Sequence, residues 1–301
     1  MTRNQWLGFG AAAFGAGFIA ILALRRRPAE GGEERPELRA VKTREEENDR
    51  LIHSLVVLTA GTAYLVMASG RGRKAASDGH EVFVARYVDW SITTPLLLTS
   101  LGLGALGTPF RRWGLLLSLL FTDAYMIFTG YLADEEPRGS AMKWTWYGIS
   151  GAAMAGVYYM LWGPLMEEAR KTGPEAEDLY RRNLTFLSAV WAGYPVNWLM
   201  GPEGLALFDE DRSTGIYTGL DITAKVLFGL YSLSNTQEKA ARELAGGRVP
   251  EHELRPSPAS HVETWERGSP TEGEAAPEPE PEPKPRRTRG KARAKPDSET
   301  A

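Results

Sequence analysis

The chain predicts an all-α fold, a bundle of seven membrane-spanning helices. Three observations carry that prediction. Apolar runs of bilayer length recur along the chain, charge collects in the gaps and at the ends, and a few ionisable residues stand alone inside apolar runs. The averages conceal this pattern: 43% hydrophobic and 24% charged residues with a net charge of −3 are ordinary for a soluble protein. A helix needs about 20 residues to cross the hydrocarbon core. The stretches 5–24, 51–69, 82–103, 109–132, 142–165, 184–200 and 214–233 approach that length.

Basic residues in short loops set the orientation. Arg25, Arg26 and Arg27, Arg111 and Arg112, and Arg170, Lys171, Arg181 and Arg182 fall on one side, which is expected to be cytoplasmic. The other side carries Asp134, Glu135 and Glu136, and Asp209, Glu210 and Asp211; Arg71, Arg73 and Lys74 are exceptions there. An odd number of helices then puts the N-terminus outside the cell and the C-terminus inside. The first run is expected to be a retained helix, because its arginines follow the apolar stretch, whereas those of a signal peptide precede it.

Residues 1–236 form the expected membrane domain, with 25–50 as a charged cytoplasmic loop and 237–301 as a disordered cytoplasmic tail. In that tail proline alternates with glutamate from Pro277 to Pro285, an extended and solvated pattern that builds no core. With no cysteine, disulfides and thiolate chemistry are excluded. The chain has no phosphate-binding glycine loop, and its C-terminal basic run lies in tail sequence, so no nucleic-acid partner is expected.

Taken in order, the first helix is rich in glycine and alanine, which admit a close neighbour. The second carries His53 and Tyr64, eleven residues apart and therefore on one face. His53 is either a histidine at the headgroups or a proton shuttle. In the third, Arg86, Asp89 and Thr93 form a polar stripe, Pro95 loosens the backbone at mid-membrane, and Ser100 shares the face of Asp89 about 16 Å further along. Asp123 and Met126 mark the fourth; Asp123 is expected to be a neutral structural acid. The fifth carries Trp146, Tyr147, Ser150 and Met154. On the sixth, Trp191, Tyr194, Pro195 and Trp198 line one face, either as packing or as the wall of a large apolar ligand. On the seventh, Lys225 lies one turn after Asp221. That pair is either a plain intramembrane ion pair or a lysine held as a cationic Schiff base beside its counter-ions.

Arg86 to Leu98 (RYVDWSITTPLLL), Trp191 to Trp198 (WAGYPVNW) and Asp221 to Lys225 (DITAK) occur in that order. With them the chain resembles the microbial rhodopsins, the retinal-binding family that includes bacteriorhodopsin, over about residues 5–233. The resemblance implies all-trans retinal on Lys225 as a protonated Schiff base, with Asp89 and Asp221 as counter-ions. Asp89 is then also the proton acceptor, and Arg86 relays the charge change. Trp90, Thr94, Leu97, Met126, Tyr147 and Ser150 match pocket positions, as do Met154, Trp191, Tyr194, Pro195 and Trp198. Tyr64 and Tyr194 are expected to hydrogen-bond Asp221. Glu203 matches one acid of the proton-release pair, its usual partner being replaced by Ser213, so that release is expected either to be late or to rely on Asp209, Glu210 or Asp211.

Pumps of this family commonly keep a carboxylate donor where Ser100 stands, and His53 is the expected substitute. The function implied is a light-driven outward proton pump, not an enzyme, in the cell membrane. The alternative is a slow-cycling sensory rhodopsin with a separate transducer. Asp89 disfavours a chloride pump, the absent Asn-Asp-Gln triplet disfavours a sodium pump, and Tyr147 disfavours a carotenoid antenna. Leu97 implies green absorption. The implied partners are the lipid bilayer, protons and, since relatives form trimers or pentamers, further copies of the chain; no metal is implied.

Overall fold

The computed structural model describes residues 1–24, 36–106 and 112–246, with side chains over 1–24, 43–103 and 112–242. Among these, the helices are α1 (Arg3–Ala23), α2 (Pro36–Ala68), α3 (Val84–Leu106), α4 (Trp113–Glu135), α5 (Ala141–Met160), α6 (Met166–Thr172), α7 (Pro174–Trp191), α8 (Gly193–Met200), α9 (Glu210–Asp221) and α10 (Phe228–Gly246). A π-helical turn, Leu161–Leu165, joins α5 to α6, and a second, Ile222–Leu227, joins α9 to α10. Because α7 and α8 also run nearly end to end, the ten segments make seven rods, as the apolar runs predict. Each rod packs on the next, and the seventh closes the ring against the first.

The rods are inverted relative to a soluble domain. Ile19, Leu65, Phe121 and Tyr159 project outward with exposures of 68%, 62%, 73% and 73%, whereas Asp89, Asp123, Lys143, Asp221 and Lys225 are buried at 0–1%. Such an arrangement suits a surrounding medium of hydrocarbon. By length and composition Arg3–Ala23, Thr43–Ala68 and Trp113–Glu135 are apolar enough to cross a membrane. The remaining rods are diluted by the polar groups they carry into the centre.

In α1 the buried residues Leu7, Gly10, Phe14, Gly17 and Ile21 follow a helical stripe. A Cβ on Gly10 would lie 2.4 Å from the Tyr64 ring, and one on Gly17 would lie 2.6 Å from Val226. These small residues are what let α1 approach the site-bearing rods. Between α6 and α7, Gly173 turns the chain with φ of 143°, a conformation that favours glycine.

Several boundaries differ from the sequence expectation. Helix α2 starts at Pro36, so 36–50 are helical, where a loop was expected. Helix α7 starts at Pro174, well before 184, and α10 continues to Gly246 into the expected tail. In each case the helix outlasts its apolar run, because the bilayer limits hydrophobicity and places no limit on helix length. Residues 25–35, 107–111 and 247–301 lie outside the described residues. The exceptional cations Arg73 and Lys74 pair with Glu81 and Glu135, which neutralises them locally.

Candidate functional site

Lys225 emerges from the π-helical turn of the seventh rod, a distortion often found at functional positions. Its Nζ donates to Asp89 Oδ2 at 2.5 Å and to Asp221 Oδ1 at 2.8 Å. The side chain is 2% exposed and its two partners are 1% and 0% exposed. The carboxylates differ in their support. Asp221 also accepts from Tyr64 Oη at 2.8 Å, Tyr194 Oη at 2.9 Å and Trp90 Nε1 at 3.4 Å. Asp89 has Lys225 on one oxygen, while its buried Oδ1 has no partner among the described residues. With more donors, Asp221 is the better-held anion, and Asp89 is the carboxylate with an oxygen free to take a proton. Thr93 bonds the backbone oxygen of Asp89 at 2.9 Å.

Lys225 lines a cavity at the centre of the bundle. All eleven pocket positions expected from the sequence line it, together with Tyr87, Ile127, Gly130, Gly151, Tyr217 and Ala224. Tyr147 stacks on Trp198 at 4.7 Å and 18°, and Tyr147 Oη donates to Pro195 O at 3.2 Å. Ser150 Oγ donates to Met126 O at 2.8 Å. Asp123 is tied to the wall by Thr94 Oγ1 at 2.6 Å, in keeping with a structural acid. The walls are thus mostly apolar and aromatic, with one amine at a charged end, which fits a long polyene aldehyde.

On the side of the α8–α9 connection, polar groups continue outward from the lysine. The Arg86 guanidinium lies over Tyr217 at 4.1 Å and Phe83 at 4.6 Å, and its Nη1 donates to Glu203 Oε1 at 3.4 Å. Lys143 Nζ donates to Glu203 O at 2.8 Å. Burial and then the Asp134 charge push the Glu203 carboxyl up to about 7, with Arg86 opposing. Asp134 accepts from Tyr87 Oη at 3.1 Å and meets His80 Nε2 at 3.2 Å. His80 also contacts Asp78, and Asp134 followed by Asp78 holds the imidazole above its ordinary range.

Ser213 lies near Glu203, since a Cβ on Gly201 would meet both. The three acids expected to assist are otherwise engaged. Asp209 caps α9 through Arg212 N at 2.7 Å, Asp211 accepts from Arg3 N at 2.6 Å, and Glu210 pairs with Arg3. Their place beside Glu203 is taken by Asp134, His80 and Lys143.

Toward the α10 end, Val56, Leu97, Leu98, Ala224 and Phe228 belong to one buried apolar cluster. Past it, His53 is fully buried. Its ring meets Phe228 at 5.6 Å, and its Nε2 lies 3.4 Å from Ser100 Oγ. Asp49, which the sequence reading did not single out, bonds Ser100 there at 2.5 Å. Its place one turn before His53 was the available clue.

A seven-rod membrane bundle holding a lysine between two buried carboxylates beside an apolar cavity defines a chromophore protein. Residues 37–238 match the family described as bacteriorhodopsin-like protein, and the chain belongs to that family. It is 34% identical over 204 residues to a bacteriorhodopsin of Haloterrigena sp. (strain arg-4), covering 65% of this chain and 78% of that one. Over 176 residues it is 35% identical to sensory rhodopsin-2 of Natronomonas pharaonis, covering 58% and 70%. Among solved structures, the thermophilic rhodopsin from Rubrobacter xylanophilus is 32% identical, with a TM-score of 0.69, covering 81% of this chain and 99% of that one. Retinal is the chromophore of this family, whose members are multi-pass cell-membrane proteins that transport or sense in response to light and are not enzymes.

Proposed function

We propose that the chain is a light-driven outward proton pump, with the N-terminus outside the cell and the C-terminus inside. The observation that carries this reading is the unequal support of the two carboxylates on Lys225 Nζ. Bound all-trans to Lys225 as a protonated Schiff base, retinal supplies the light-driven isomerisation that breaks the dark alignment of this charged cluster. Lys225 Nζ then gives up its proton to Asp89, whose Oδ1 has no competing donor, while Asp221 stays anionic under Tyr64, Tyr194 and Trp90. Neutralising one buried ion pair removes two desolvated charges, which favours the transfer. Arg86 loses part of its attraction toward the centre and leans on Glu203, and Glu203 sheds its proton outward. The Tyr147–Trp198 stack, with Trp191 also lining the cavity, excludes water and restricts the chromophore.

Net outward transport then requires that the proton returned to Lys225 Nζ come from the His53–Ser100 side, opposite to Asp89, which now holds the released proton. A second reading, a slow sensor signalling through a separate transducer, draws on Ser100 standing where pumps commonly keep a carboxylate. The relatives include both bacteriorhodopsins and sensory rhodopsins at near-equal identity, so experiment decides. Cells making the chain with all-trans retinal in unbuffered suspension should acidify the medium under continuous light, and a protonophore should abolish the change. A coloured protein that photocycles without sustained acidification would sink the pump reading and favour the sensor.

A further inference from the structure

On α2 the sequence places Glu46, Asp49, Arg50 and His53 within two turns, and the spacing of Asp49 and His53 puts them on one face. Asp49 is 9% exposed and His53 0%. The carboxylate of Asp49 joins three rods: Oδ1 accepts from Ser100 Oγ of α3 at 2.5 Å, and Oδ2 accepts from Thr236 Oγ1 at 3.1 Å and Ser232 Oγ at 3.4 Å, both of α10. His53 Nε2 lies 3.4 Å from Asp49 Oδ1 and 3.4 Å from Ser100 Oγ.

The other charged groups here are engaged among themselves. Arg50 Nη2 pairs with Glu46 Oε1 at 2.7 Å while its Nη1 donates to Ile21 O at 2.6 Å, and Gln237 Nε2 donates to Glu46 at 2.9 Å. From α7, Asn183 reaches Ser232 Oγ at 3.1 Å. His53, one turn along the same helix, brings its imidazole to the Asp49 carboxylate. On its inner side the imidazole meets Phe228 at 5.6 Å, and its buried Nδ1 has no partner among the described residues. The pair thus stands at the edge of the apolar barrier that separates it from Lys225, with one unpaired nitrogen in hand.

We infer that Asp49 and His53 together form the inner proton store, the carboxylate having moved one rod over, from the Ser100 position on α3 to α2. A buried ionisable pair in a membrane bundle is costly and marks function, and an imidazole carries protons near neutrality. One proton leaves the pair, crosses the barrier when water enters it, and arrives at Lys225 Nζ. The pair regains one from the inner solvent past Thr236, and no other bond is made or broken. Ser100 and Thr236 are positioning residues that hold the carboxylate by their hydroxyls.

This inference deepens the pump reading and rests on it for direction, although reprotonation is measured independently of net transport. In flash experiments on the retinal-loaded protein, Asp49→Asn and His53→Gln should each slow the return of the proton by roughly 10²-fold, the low end of a general acid's contribution. Asp49→Glu should recover most of the rate, and azide, a small weak acid, should rescue Asp49→Asn. In the retinal-free protein, the 15N-imidazole signals of His53 should shift in Asp49→Asn, which reads the pairing without light. Asp49→Asn returning the proton at the wild-type rate would overturn the assignment, as would His53 signals that do not move. Slow return in Asp49→Asn within a protein that gives no net acidification would leave the store standing and remove only the pump.

Discussion

The two halves of the rod bundle on either side of Lys225 are built from opposite materials. Toward Glu203, Arg86, Tyr217, Tyr87, Trp198, Lys143, Asp134 and His80 are buried or nearly so, and most are linked by hydrogen bonds or cation–π contacts. Toward Asp49, Val56, Leu97 and Phe228 belong to one buried apolar cluster, and the His53 ring packs on Phe228. A connected polar half lets a charge change at the centre be felt at the surface at once. An apolar half holds protons back until water enters it. On the pump reading, that difference is what gives the bundle a direction.

The largest break in this contrast comes at its centre. Asp89→Asn leaves Asp221 with its donors but removes the acceptor, so light-driven acidification should fall by roughly 10²-fold or more, in line with loss of a positioned proton acceptor; an undiminished rate would exclude Asp89. Phe228→Ala attacks the apolar half. The side chain is 0% exposed, and its truncation should cost about 3 to 5 kcal/mol, the usual range for a buried phenylalanine, read as a lower unfolding midpoint. Proton return should also become faster in the variant as water enters.

His80→Gln tests the polar half. Because Asp134 and Asp78 raise the His80 value on folding, its stabilisation is full below the ordinary histidine value of about 6.5 and disappears as pH rises through the raised value. The variant should be less stable than wild type by about 1.5 to 3 kcal/mol at acid pH, the range for hydrogen bonds to charged groups. The deficit should shrink in alkaline buffer, and a deficit independent of pH would show that His80 is not held as a cation. Smallest is Arg3→Ala. Its partners Glu81 and Glu210 are part-exposed at 30% and 36%, so thermal scans should register about 1 kcal/mol or less.

What the sequence disclosed follows from where its pattern was cleanest. Lys225, Asp89 and Asp221 stand out because charge inside an apolar run has few explanations, and the aromatics of the sixth helix because their spacing puts them on one face; the other pocket positions are carried by the resemblance. Lys143 stands at the very start of its apolar run, and Asp49, Asp134 and His80 sit in charged flanks that hydropathy treats as loop. There, helix α2 runs well past its apolar stretch, and His80 is placed by a hairpin of two-residue strands, Lys74–Ala75 and Glu81–Val82. The π-helical turn that presents Lys225 left no mark in the sequence, since it depends on how neighbouring rods load the backbone.

The central claim is that protons leave through the polar half and return through the apolar one. Single-flash measurements on oriented, sealed vesicles, with a pH-sensitive dye first on one side and then on the other, test it most directly. Release on the Glu203 side followed by uptake on the Asp49 side is the predicted order. Release and uptake on the same side would contradict the account.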